Sequence, residues 1–101
     1  MEEKITITLA QLNPKVGDVS GNADLLRAAR AEAAKDGSDF VVVSELFLCG
    51  YPPEDLVMKR AFVRYIKDIA NNLVAETADG GPAYIFGLPY EEDGALYNSV
   101  M

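Results

Sequence analysis

Ile5, Ile7 and Leu9 alternate with Thr6 and Thr8 near the start of the chain. This period of two, rich in β-branched side chains, predicts a strand over residues 5–12 that ends at Asn13-Pro14. Lys15 to Asn22 holds Gly17, Asp18, Ser20 and Gly21, a loop composition in which Ser20 or Asn22 would cap the next helix. Leu25, Leu26, Ala29 and Ala33 then fall on one side of LLRAARAEAAK, predicting a helix that stops at Gly37. Phe40 to Val43 is an unbroken apolar run, the pattern of a strand covered on both faces. From about Lys59 to Thr77 the pattern returns to helical spacing, with Phe62, Tyr65, Ile66, Ile69 and Leu73 three and four apart. Asp79-Gly80-Gly81-Pro82 breaks that helix. A third strand is predicted over Ala83 to Leu88, before Pro89, and a fourth from near Ala95 after the turn Glu91-Glu92-Asp93-Gly94.

The resulting order, β-α-β-α-β-β, predicts an α/β architecture with right-handed crossovers and helices on a face of the sheet. The chain has no internal repeat, low-complexity tract or linker, and its 101 residues suit one domain. Its last residues fall inside the predicted fourth strand. That leaves an open sheet edge and too little helix to cover the sheet, so residues 1–101 are expected to be the early part of a larger domain.

Glu45 interrupts this pattern. It lies two residues beyond FVVV, between that strand and Phe47-Leu48, and in open α/β sheets ligands collect at the carboxyl ends of strands. Buried beside Phe47, Leu48 and Tyr51, its carboxylate would lose hydration and become a better proton acceptor, the property of a general base. The same placement also suits a carboxylate that caps a neighbouring element or pairs with a lysine. The following residues read as a wall: Gly50 tolerates unusual backbone angles, Tyr51 before proline is pushed toward an extended form, and Pro53-Glu54-Asp55 suits the first turn of a short helix. Phe47 and Tyr51 are the candidate pocket-wall residues. Asn98, in Tyr97-Asn98-Ser99, has the reach to hydrogen-bond the site loop or to serve structure alone.

Composition narrows the chemistry. Half of the residues are hydrophobic and a quarter charged, as in soluble globular proteins. The net charge of -7, with Lys and Arg scattered, disfavours nucleic acid and anionic membrane surfaces as partners. No apolar run approaches the ~20 residues that span a bilayer, and the acidic MEEKITITLAQ is unlike a signal peptide; a cytoplasmic location is expected. With one cysteine and no histidine, the sequence excludes an intrachain disulfide, a Cys/His zinc cluster and a self-contained Ser-His-Asp or Cys-His site. Metal ligation is therefore not expected. Cys49 has no neighbour in sequence to activate it and reads as a buried bystander. Gly17 and Gly21 do not form a dinucleotide-binding pattern.

The segments ITLAQLNPKVGDVSGN, SDFVVVSELFLCGYPPEDL and IFGLPYEEDGALYNSV resemble the start of the nitrilase-type carbon-nitrogen hydrolase superfamily. GDVSGN and especially GYPPEDL are similar to the N-terminal glutamine amidotransferase domain of the glutamine-dependent NAD synthetase family. The resemblance implies the N-terminal part of a nitrilase-like four-layer α-β-β-α sandwich with a Glu-Lys-Cys triad. In that triad Glu45 matches the general base, while the lysine and the cysteine nucleophile lie outside this chain. It also implies glutamine as substrate, and as partners the rest of the amidase domain, a C-terminal synthetase domain and further copies in a homo-oligomer. No cofactor is expected in these residues; ATP and magnesium would serve the synthetase domain, which amidates nicotinic acid adenine dinucleotide. A stand-alone amidase or carbamoylase, and a non-catalytic assembly module, are the alternative readings, and the 101 residues alone are expected to be inactive.

Overall fold

A computed structural model describes residues 3–101. Strands β1 (Ile7–Leu9), β2 (Phe40–Val42) and β3 (Ala83–Ile85) form a parallel sheet in the order β1-β2-β3. Helix α1 (Val19–Lys35) joins the first two strands and α2 (Arg60–Glu76) lies between the second and third. The chain then changes partner: β4 (Gly87–Glu92) and β5 (Ala95–Val100) form an antiparallel hairpin. The α/β class follows the sequence, but the predicted order β-α-β-α-β-β gains a strand. Residues 83–92 divide at Phe86, which leaves the parallel sheet and exchanges both backbone hydrogen bonds with Met101 at 2.9 Å.

Helix α1 begins earlier than its apolar stripe suggested. Asp18 is the cap, accepting from Gly21 N at 3.1 Å, so neither Ser20 nor Asn22 fills that role. The physical reason is that Val19 is already buried in the core and the Asn22 amide is used elsewhere. Gly37 follows the helix in the left-handed region, φ 71°, as expected of a C-terminal stop. Two apolar residues leave their predicted faces: Leu25 and Tyr65 are both exposed. The predicted Leu26 and Ala33 of α1 and Ile66 and Leu73 of α2 are buried, and Val19, Ala23, Val63 and Ala70 join them.

Both helices cover one face of the sheet. Val41 and Tyr84 point into the core beneath them, beside Leu26, Ile66 and Leu73. Strand side chains alternate, so the registers Ile7–Phe40–Ala83 and Leu9–Val42–Ile85 place six apolar residues on the opposite face. Ile7 and Leu9 there are 50% and 75% exposed, and the other four are half-buried. The FVVV run was expected to be covered on both sides; within this chain it is covered on one. Arg27 clasps the two helices by donating to Glu76 at 2.8–3.1 Å, and Arg30 pairs at 2.6 and 3.0 Å with Asp79, in the short 3-10 turn Thr77–Asp79 that follows α2.

Pro89 does not end its strand. Because Phe86 and Met101 exchange both hydrogen bonds, alternate positions along the antiparallel ladder do not, and Pro89 opposite Asn98 is one of these. Its missing N–H therefore costs the ladder nothing. The turn is tighter than predicted, with Asp93 and Gly94 at φ 52° and 79° and both glutamates retained in β4. This is the left-handed pair that a two-residue hairpin loop requires.

Candidate active site

At the carboxyl end of β2 the chain runs into a compact turn, residues 45–49. Phe47 N donates to Ser44 O at 3.2 Å, and Gly50 N to Leu46 O and Phe47 O at 3.0 and 3.1 Å. Leu46 takes φ 50°, a left-handed conformation that costs a non-glycine residue on the order of 1 kcal/mol and persists only where surroundings enforce it. Those surroundings are identifiable. Leu48 N donates to Gly87 O at 3.2 Å, and a Cβ on Gly87 would stand 2.5 Å from Leu46 N. The glycine of IFGLP thus lets the hairpin back directly against the turn.

A second anchor comes from α1. Asn22, 1% exposed, accepts from Lys15 N at 2.8 Å and donates to Lys15 O and Leu48 O at 2.8 and 3.1 Å. Gly17 N donates to Cys49 O at 2.9 Å, stitching the 15–17 loop to the turn. The fit is close: a Cβ on Gly50, at φ 82°, would come within 2.6 Å of Val16 Cα. Glycine is required there by both its backbone angle and its space.

Glu45 itself is exposed, not buried as the sequence suggested. The inverted conformation at Leu46 sends Leu46, Phe47, Leu48 and Cys49 into the core while the preceding residue stays outside. Burial therefore does not supply the loss of hydration expected of it in this chain. What the fold supplies is orientation: Asn98 Nδ2 donates to Glu45 Oε1 at 2.6 Å across 53 residues of sequence. Ser44, on one side of Glu45, lines a cleft of roughly 420 Å³ with Leu9, Gln11, Leu12, Val42 and Val43. Leu46, on the other side, lines a smaller hollow of roughly 200 Å³ with Pro53, Val57, Pro89, Leu96 and Asn98.

The two wall candidates separate. Phe47 is wholly buried and packs beneath the turn instead of lining an open hollow, whereas Tyr51 is 62% exposed. Pro53 leads into a short 3-10 helix, Glu54–Met58, with Glu54 and Asp55 in its first turn, as the sequence indicated. Cys49 is fully buried, its Sγ facing Leu46 O and Gly50 O at 3.4 and 3.5 Å, and burial pushes its thiol up from the ordinary value. A neutral, enclosed thiol is a poor nucleophile. Among the described residues, no group of three or more His, Cys, Asp or Glu is arranged to hold a metal ion, and no helix is long and apolar enough to cross a membrane.

Sequence reasoning singled out Glu45 and noted Asn98, but missed Gly87 and the inward role of Asn22. An isolated glycine inside a strand pattern signals close backbone approach and was the available cue for Gly87. Nothing in sequence distinguishes a clamping asparagine from a capping one at position 22.

The chain also has recognisable relatives. A glutamine-dependent NAD(+) synthetase of Rhodobacter capsulatus is 41% identical over 99 residues, covering 98% of this chain and 18% of that protein. The crystal structure of a glutamine-dependent NAD(+) synthetase from Cytophaga hutchinsonii aligns with a TM-score of 0.85 at 26% identity, over 95% of this chain and 16% of its own. An amidase from Nesterenkonia sp. aligns with a TM-score of 0.74 at 28% identity, over 87% of this chain and 33% of its own. The chain thus spans less than a fifth of the synthetases it matches and a third of the amidase. The carbon-nitrogen hydrolase profile matches residues 6–101, a span that includes β1, both helices, the Glu45 turn and the Asn98 hairpin, and the chain belongs to the carbon-nitrogen hydrolase family.

Proposed function

We propose that residues 1–101 are the opening portion of the amidase domain of a glutamine-hydrolysing NAD synthetase, with Glu45 as its general base. The observation that carries this reading is the Glu45 turn: a carboxylate at the end of a central strand, oriented by Asn98 and flanked by two hollows. The cysteine and lysine of the triad belong to polypeptide outside this chain. In the reaction, Glu45 accepts the proton of that cysteine thiol as sulfur attacks the side-chain amide carbon of glutamine. The lysine stabilises the tetrahedral oxyanion. Cleavage of the C–N bond, with return of a proton to nitrogen, releases ammonia and leaves a glutamyl thioester that water hydrolyses. Tyr51 is the wall residue open to substrate, and Phe47 supports the wall from within.

The apolar face of the sheet fits the same reading. Six side chains from Ile7 to Ile85 present a surface for a second sheet, which would complete the four-layer α-β-β-α sandwich. Ammonia would pass to a C-terminal synthetase domain that uses ATP and magnesium to amidate nicotinic acid adenine dinucleotide, in a cytoplasmic homo-oligomer.

Glu45→Gln in the full-length protein tests this. Glutamine-dependent NAD formation is expected to fall by about 10²–10⁴-fold, while formation from added ammonia persists. Equal loss of both would assign Glu45 to folding. The resemblance to the Nesterenkonia amidase favours a second reading, a stand-alone amidase; amide hydrolysis without any ATP-dependent NAD formation from ammonia would select it.

A further inference from the structure

We infer that Asn98 is a positioning residue for Glu45, fixing which carboxylate oxygen is presented to the thiol proton. This rests on the reading of Glu45 as general base. Among the described residues Asn98 supplies the one side-chain hydrogen bond that Glu45 receives, and Glu45 has no cationic partner. A neutral amide fixes a carboxylate's orientation without neutralising its charge. Because Nδ2 holds Oε1 at 2.6 Å, Oε2 is the oxygen left to accept a proton.

The hairpin makes this placement specific. Positions of one parity share a face, so Gly87 and Pro89 of β4 and Asn98 of β5 lie on the same side. That side carries the contact between Gly87 and Leu46. Gly87 sets the distance of the turn from the hairpin, and Asn98 sets the angle of the carboxylate on it. Pro89 and Leu96 line the hollow beside Asn98, while the bond to Glu45 is itself exposed within this chain.

The test compares Asn98→Asp and Asn98→Ala in the full-length protein. Aspartate keeps the shape but replaces the donor with an oxygen that repels Glu45; alanine only removes the donor. For Asn98→Asp, kcat for glutamine hydrolysis is expected to fall about 10²-fold, the scale of a misplaced catalytic group. KM for glutamine stays within about threefold, because ground-state binding is untouched. Ammonia-dependent NAD formation is unchanged, and Asn98→Ala loses less. Added to Glu45→Gln, Asn98→Asp costs little more, since the two act as one unit. Unchanged kcat in both variants, a rise in KM alone, or equal loss of the ammonia-dependent reaction overturns the inference. If Glu45→Gln leaves glutamine hydrolysis intact, the general-base reading falls; if it lowers hydrolysis as expected while Asn98→Asp leaves kcat unchanged, only the role of Asn98 falls.

Discussion

Glu45 and Asp79 are both exposed carboxylates that follow a regular element and receive a side-chain hydrogen bond from far along the sequence. Their surroundings oppose each other. Asp79 is saturated: Arg30 binds both oxygens, Gly81 N adds a bond at 2.8 Å, and these hold its acid down to about 2. Arg30 is itself fixed, donating to Pro82 O at 2.7 Å and lying 5.4 Å from the Tyr84 ring centroid. Among the described residues Glu45 has one neutral donor and no cation. A carboxylate that completes a fold spends its lone pairs on charge partners, whereas one that performs chemistry must keep a lone pair unspent. On the proposed reading of Glu45 as general base, Asp79→Asn should therefore leave glutamine hydrolysis by the full-length protein intact, where Glu45→Gln should lower it by about 10²–10⁴-fold.

The contrast sharpens most at Gly87, which touches only one of the two. Gly87→Ala would put a Cβ 2.5 Å from the Leu46 backbone nitrogen. Backbone cannot rotate away like a side chain, so the turn must lift from the hairpin, and Asn98 loses its grip on Glu45. Overpacking of this kind costs about 1–3 kcal/mol. The displacement should lower glutamine-dependent kcat by about 10²-fold, with the Arg30–Asp79 clasp undisturbed. Unchanged kcat would show that the turn adapts and that its close approach is not required for turnover.

How far the sequence foretold this depends on what each residue touches. Local periodicity was enough for α2, whose apolar spacing located it within a residue at each end, and for the glycine stops. Glu45 was legible because a charge inside an apolar run is anomalous whatever the fold. Its exposure was not, since that depends on the left-handed angle at Leu46, enforced by Gly87 some forty residues later. Pro89 misled for the same reason: its effect depends on its position in a ladder whose register is set by Phe86 and Met101. Asn22 sits in a loop-like composition that suggests capping, yet its partners are Lys15 and Leu48. Long-range pairing decides such residues, and residue-by-residue pattern does not carry it.

Asn22 gives the next smaller effect and probes the turn from its other side. Asn22→Ala would leave Lys15 N, Lys15 O and Leu48 O without their buried amide partner. The Leu48 O contact is buried and the two Lys15 contacts are part-buried; a buried group left unsatisfied costs about 1–3 kcal/mol, a drop readable as a lower urea midpoint. Asn22→Asp should recover only the Lys15 N contact, because a carboxylate cannot donate to the two carbonyls. A variant with an unchanged midpoint would mean that water replaces the amide and that the loop is held by Gly17 and Cys49 alone.

The smallest effect belongs to Asp79 and appears only in acid. Its acid lies at about 2 in the fold against an ordinary value near 3.8, chiefly through the Arg30 hydrogen bonds and then Gly81 N. A depressed folded value means that the unfolded chain takes up the proton first as pH falls. The stabilisation is therefore fully present above about pH 4 and is lost as pH drops through about 2. Asp79→Asn should lower the urea midpoint slightly at pH 6, the modest return of an exposed pair, and the gap from the unsubstituted protein should close toward pH 2. A gap that persists at pH 2 would mean that the substituted amide disturbs the helix clasp by its shape, and the charge pairing that separates Asp79 from Glu45 would not be what holds that edge.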